Sequence, residues 1–326
     1  MTVSTWRSHL RYDPIPLLVS VSDEAIRYQV SRDLFEEDQD SVELLWETKQ
    51  AARLLRKQQE DGSWRYPNPK IDIRSIKGYN QVETFRILAI LVEKYLLNRD
   101  HPAMERAAEF LFSCQTDEGD FRGVYWNQYS PTYSAAFMEL LIKAGYADDK
   151  RIELGLDWLI SLRQDDGGWA IPFRTANLSM KETMAQKNLV KHDRSKPFSH
   201  MLTGVVLRAF AAHPGRLKQP DVKKASELLA SRIFKADRYT DRKAPDYWTR
   251  FSFPFWFTDL LSALDTLSQL GLSADHPQIR EGVDWFIEHQ EKHGLWDLKL
   301  VRGTSDKIQN LWVNLVICRT LKRLLD

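Results

Sequence analysis

Apolar positions recur every three to four residues in "AAEFLFSCQ" (107–115), "GLDWLISLRQ" (155–164) and "GVDWFIEHQ" (282–290). That spacing lays one apolar stripe along a helix. Each stretch ends on glutamine and runs into a short acidic turn holding glycine. An aromatic residue follows: Phe121, Trp169 and Trp296, with Trp64 in the corresponding place after "QQEDGS". Glycine at that point stops a helix through a left-handed cap. A loop then leads to a second kind of segment, apolar nearly all round: 80–96, 131–145, 198–212, 253–271 and 306–325. All-round hydrophobicity predicts burial, so the first helix of each pair is expected outside and the second inside.

Five such pairs span residues 41 to 325, with a degenerate fourth outer helix at 221–234 whose turn lacks Gly and Trp. An amphipathic helix at 22–37, with Ser22 or Asp23 as its N-cap, supplies a sixth inner helix. Its outer partner is expected in the short "PIPLLVS" segment. Strand patterns are nearly absent. The expected fold is all-α, an (α/α)6 toroid of helical hairpin repeats. The chain reads as one domain over 1–326, with residues 1–40 giving an arm and inner helix and 41–326 the five pairs.

Composition narrows the class. Hydrophobic residues make up 43% and tryptophan occurs eleven times, enough for a large core. The net charge of +1 argues against bulk nucleic-acid binding. Two widely separated cysteines, no signal-peptide pattern and no long apolar run lead to the expectation of a cytoplasmic protein without a transmembrane segment. Peripheral membrane contact stays open.

The turn pattern resembles the QW repeat of squalene and oxidosqualene cyclases, and glycine-aromatic turns of this kind also occur in protein prenyltransferase β subunits. The copies at 51–64, 107–121, 155–169 and 282–296 carry the resemblance over nearly the whole chain. It implies a toroid whose Gln and Trp residues (Gln59, Gln115, Gln164; Trp64, Trp169, Trp296) tie helix ends together. Asp165 and Asp166 are then turn residues beside glycine rather than a magnesium site. The resemblance also places reactive groups near the N-termini of the inner helices and implies an isoprenoid or similar apolar ligand, with a diphosphate among the candidate head groups.

The chain departs from those families at the chemistry. Aligned with the DxDD acid motif of class II terpene cyclases, "NQVE" puts Asn80 and Glu83 on the outer acids and Val82 on the proton donor. Glu83 and Asp259 are the carboxylates left for acid-initiated cyclisation or isomerisation. His200 lies at an inner-helix start, like the zinc histidine of prenyltransferases, but no Asp-x-Cys pair accompanies it. No metal and no cofactor are therefore expected, and His200 is read as a substrate-binding residue.

The remaining candidates line the expected mouth: Trp126, Tyr129, Tyr133, Tyr247, Trp248, Arg250, Phe253 and Trp256. Several come from "DYWTRFSFPFWF" (246–257), whose rings suit an isoprenoid chain or a developing carbocation. In the five loops that enter inner helices (64–82, 120–130, 170–199, 235–252 and 297–308), Lys and Arg outnumber Asp and Glu by ten. That predicts a basic rim suited to an anionic head group. The connection 170–197 is long enough to fold over the mouth. Two other readings remain: a binding or partner scaffold that kept the fold without the chemistry, and an α/α-barrel carbohydrate-active enzyme using paired carboxylates.

Overall fold

The computed structural model describes residues 5–39, 41–71, 74–239, 242–301 and 306–326. Among them, regular structure is helical apart from isolated β-bridges. Six inner helices follow in order: α1 (Glu24–Val30), α3 (Ile76–Tyr95), α5 (Pro131–Leu141), α7 (His200–Ala212), α9 (Leu260–Gln269) and α11 (Lys307–Leu325). Outer helices alternate with them: α2 (Lys49–Leu55), α4 (Pro102–Phe112), α6 (Lys150–Ser161), α8 (Pro220–Ala230) and α10 (Pro277–Glu288). A short helix, Ile15–Val19, packs on α1 where "PIPLLVS" was expected to serve as the sixth outer element.

Burial follows the sequence pattern. Every residue of α7 from His200 to Phe210 is buried. In outer α10 only Ile279, Gly282, Val283 and Phe286 are, a single stripe at helical spacing. Each inner helix touches the next, and α11 touches α1, so the ring closes. Asp23 caps α1 by accepting the Ile26 N–H at 3.0 Å.

Three kinds of hydrogen bond recur at the glycine-aromatic turns, the first only where the aromatic residue is tryptophan. The indole donates to the carbonyl ten residues earlier, near the end of the outer helix: Trp64 to Leu54 (2.8 Å), Trp169 to Leu159 (2.6 Å) and Trp296 to Phe286 (2.6 Å). The backbone N–H of the aromatic residue donates to a polar side chain on the following inner helix. The acceptors are Thr84 Oγ1, Ser134 Oγ, Thr203 Oγ1 and Asn314 Oδ1, at 2.7 to 3.0 Å. The glutamine amide bridges its own turn to the start of the next hairpin. Gln115 Nε2 donates to Gly119 O and Arg151 O, both at 2.8 Å. Gly119 has φ +104°, and an added Cβ would lie 2.6 Å from Leu154 O, so glycine is required there twice over.

These bonds correct the glutamine register. In the first turn the bridging residue is Gln58, which donates to Gly62 O (3.0 Å) and Ala103 O (2.7 Å). Gln59, the residue expected from sequence, reaches only Ser63 Oγ. In the third turn Arg163 takes the bridging position. It donates to Gly167 O at 2.8 Å and pairs with Asp221 of α8. Gln164, one residue on, holds the long connection instead, through Asp193 O (2.9 Å) and Lys196 O (2.6 Å). Asp166 is a turn residue, accepting from Gly168 N and Phe198 N.

The last turn closes the ring. Gln290 Nε2 donates to Gly294 O and Tyr12 O, and its Oε1 accepts the N–H groups of Arg11 and Tyr12. The N-terminal arm thus stands where the next outer helix would begin. Asp326 accepts the N–H groups of Thr5 and Trp6 and completes the closure.

The register is testable. Gln58→Ala should cost about 2 kcal/mol, because two buried carbonyls lose their donor, whereas Gln59→Ala should cost under about 1 kcal/mol. Urea unfolding of the two variants checks it, and equal losses would refute the assignment.

Candidate functional site

The loops leading into α3, α9 and α11 converge on the walls of α3 and α5 and enclose a cavity of about 550 Å³. Its lining is mainly aromatic: Tyr66, Phe85, Tyr133 and, from the segment before α9, Phe251, Phe253, Phe255, Trp256 and Phe257. The Trp256 ring packs 4.9 Å from Phe85 and 5.0 Å from Tyr133. Behind Trp256 and Phe257 lies a second cavity of about 340 Å³, lined also by Tyr125, Phe173, Met201, Val205 and Tyr247. Together they give the roomy, mostly apolar hollow expected of a small-molecule site.

Charge enters at a few points. Arg86, Lys94, Arg242 and Asp306 line the larger cavity, and Arg174 and Arg242 the smaller. Lys94 donates to Gln309 Oε1 at 2.9 Å and lies 5.2 Å over the Trp312 ring. Burial lowers its pKa to about 8, against the raising effect of Asp23 and Asp306. Much of the basic rim is neutralised locally: Arg122 by Asp120 and Glu118, Arg194 by Asp165, Arg250 by Asp246. Asp72, Asp241 and Arg302, counted in the loop charges, lie outside the described residues.

The expected site residues divide into two groups. Tyr133, Phe253 and Trp256 line the larger cavity, and Tyr247 and Trp256 the smaller. The others stand apart from both linings. Trp126 is 42% exposed. Tyr129 bonds Glu118 at 2.5 Å and sits beside Trp158. Trp248 is buried, donating to Lys235 O and stacking 4.7 Å from His200. His200 is buried beside Asp237, with Nδ1 3.4 Å from its carboxylate. Burial lowers the His200 pKa to about 4, outweighing the pull of Asp237. Arg250 covers the Tyr247 ring at 4.5 Å.

Neither candidate acid lines a cavity. Glu83 pairs with Arg86 one turn away, at 3.1 Å. Asp259 caps α9, where Oδ1 accepts the Ser262 N–H at 2.7 Å. Its Oδ2 is buried and has no hydrogen-bond partner. Burial raises its pKa to about 7, opposed by the Ser262 hydrogen bonds and by the Arg208 charge. Among the described residues, no group of three or more His, Cys, Asp or Glu is placed to hold a metal.

Sequence reasoning passed over Phe85, Lys94 and the second cavity. Lys94 sits in "ILVEKYL", where a lysine reads as the polar face of a helix. The long connection contributes Ile171, Phe173, Arg174 and Met180 to the second cavity. Gln128 holds it down by donating to Asn188 O and accepting from Val190 N.

A family model described as the squalene-hopene cyclase C-terminal domain matches residues 132–302. Among solved structures, a protein from Actinoplanes aligns over 94% of this chain and 91% of its own, at 16% identity and a TM-score of 0.50. A family 88 glycosyl hydrolase from Bacteroides vulgatus aligns over 86% and 88%, at 16% identity and a TM-score of 0.44. The type II terpene cyclase MstE from Scytonema aligns over 90% and 98%, at 14% identity and a TM-score of 0.31. No curated protein matches the sequence.

The raised pKa of Asp259 carries a pH signature. An ordinary carboxyl in the unfolded chain ionises near pH 4, while the folded one keeps its proton up to about pH 7. The folded state therefore binds the extra proton, and its stability declines as pH rises from about 4 to about 7. Asp259→Asn keeps the cap and removes the titration. Relative to the wild type it should gain stability between pH 5 and pH 8, by at most about 3 kcal/mol. Urea midpoints at both pH values check this; a constant difference would show that Asp259 ionises normally.

Proposed function

The chain belongs to the squalene-hopene cyclase C-terminal domain family, and from that premise we propose that it binds an isoprenoid or similarly apolar chain in the aromatic cavity. The observation that carries this reading is the cavity lining, in which the Phe251–Phe257 segment meets Phe85 and Tyr133. Arg86, Lys94 and Arg242 at its edge support an anionic head group such as a diphosphate. The reading takes residues 1–326 as one domain. The bonds from residues 5–12 to Gln290 and Asp326 support that, because they tie the two ends of the chain together.

Acid-initiated cyclisation or isomerisation is the chemistry proposed if turnover follows binding, with Asp259 as the acid, although that residue lies outside the cavity lining. Its unpartnered Oδ2 and its retention of a proton up to about pH 7 support that role. Glu83 is the weaker candidate, since its carboxylate is taken up in a pair with Arg86. The second reading is a ligand-binding scaffold without turnover. Val82, at the position of the family's proton donor and in the cavity wall, favours it. The aromatic segment would then hold the chain without stabilising a cation.

Native mass spectrometry and tryptophan fluorescence with farnesol and farnesyl diphosphate test the binding. Both should bind, the diphosphate about tenfold more tightly, and Arg86→Ala with Arg242→Ala should remove that advantage while farnesol binding stays. Failure of both ligands at millimolar concentration would sink the reading. Product analysis separates the two outcomes: a product lost in Asp259→Asn with binding retained supports the acid, and binding without product selects the scaffold.

A further inference from the structure

Lys94 is half-buried and Lys143 more exposed, and the two differ in what faces them. Lys143 Nζ lies 2.6 Å from Glu93 and 2.8 Å from Glu139. Those carboxylates hold it charged, raising its pKa, and its lone pair is unavailable. Among the described residues, Lys94 has no carboxylate within ion-pair distance. Its acceptor is the neutral amide oxygen of Gln309. That amide is oriented from its other end, where Gln309 Nε2 donates to Phe253 O. Asp23 and Asp306 act on it only at longer range. Arg86, Arg242 and Asp306 line the same cavity.

We propose that Lys94 is a nucleophilic amine that captures apolar aldehydes in the aromatic cavity as a Schiff base. The inference rests on the reading of the cavity as an apolar-chain site and adds a second class of head group to it. Three observations converge. Lys94 lines the cavity. Its ammonium lies over the Trp312 ring, which stacks in turn on Phe253, so the reacting end of a ligand would meet aromatic walls. Its hydrogen-bond partner accepts without adding charge, so burial outweighs the Trp312 ring and the distant Asp23 and Asp306, which favour the protonated form. Desolvation in an apolar pocket is a general route to reactive lysines.

The chemistry balances without a redox partner. The neutral amine adds its lone pair to the carbonyl carbon, and the carbonyl oxygen takes a proton to give a carbinolamine. The remaining N–H proton and the hydroxyl then leave as one water, and the carbon–oxygen bond is replaced by a carbon–nitrogen double bond. With burial lowering the amine to about pKa 8, the neutral fraction near pH 7 is roughly 100-fold that of an exposed lysine.

The test uses the full chain with farnesal, a C15 aldehyde, and sodium cyanoborohydride, which adds hydride to the Schiff-base carbon and fixes a secondary amine. Peptide mass mapping should place the adduct on Lys94 at about tenfold or more above any other lysine. Excess farnesol should compete. Lys94→Met, which keeps the length of the side chain and removes the amine, should lose the adduct while farnesol still quenches tryptophan fluorescence. Adduct spread evenly over lysines, or persisting in Lys94→Met, would overturn the proposal. Farnesol binding without a Lys94 adduct would overturn it while leaving the cavity reading intact. Failure of farnesol itself to bind would remove both.

Discussion

The structure depends on satisfying the backbone of a buried turn. Each outer helix ends beneath the ring's surface, where a chain reversal leaves carbonyl and N–H groups without water. The indole of Trp64, Trp169 or Trp296 takes a helix-end carbonyl. A hydroxyl or amide on the inner helix takes the aromatic N–H. Gln58, Gln115 and Gln290 carry the bond across to the next hairpin, and Arg163 does so with an ion pair. One turn therefore joins three helices. Repetition of that joint turns separate hairpins into a ring, and substitution of the N-terminal arm for a missing outer helix lets the ring close.

A closed ring of inner helices has an axis to fill, and this chain fills it in two ways. Near the entering loops the filling is aromatic and leaves space. Toward the C-terminal ends of the inner helices it is ionic: Arg208 with Glu139 at 2.8 Å, Lys143 between Glu139 and Glu93, and Asp265 with Arg323 at 3.2 Å. Glu139 is almost fully buried, and the Arg208 and Lys143 charges beside it hold its carboxyl below the ordinary range despite that burial. Such a network gives little net stability, but it fixes which side chains may meet at the axis.

Most of the fold was legible because the helices differ in period and burial. Outer stripes and all-round inner segments gave ten of the principal helices in order, and of the two candidate caps, Ser22 and Asp23, the structure uses Asp23. The glutamine register was not legible in the first turn, since "QQ" offers two candidates one residue apart and only the bond to Ala103 separates them. In the third turn "RQ" hid a substitution of Arg163 for the bridging glutamine. The polar acceptors Thr84, Ser134, Thr203 and Asn314 carry no constant spacing from their aromatic partners, because the loops between differ in length. The site was read in part for a related reason. The 246–257 segment announced its aromatics, yet Trp248 turned toward His200 and away from the cavity, and a list of residues does not reveal which side of a loop faces the axis.

The same geometry explains how this fold can keep a ligand cavity while its acid motif changes. The ring is held by bonds at the turns and by ion pairs at the far end, and neither involves the cavity wall. Val82, Phe85, Ala89 and Lys94 are therefore free to vary in chemistry so long as α3 keeps Thr84 aimed at Trp64. Asp259 and His200 show the opposite case. Asp259 caps α9, and His200 packs on Trp248 beside Asp237. Those residues serve the scaffold first, and any chemistry they perform has to be compatible with that load. In this chain the groups that line the cavity and carry no scaffold bond are the aromatic rings, which is why its function is best sought in what those rings can hold.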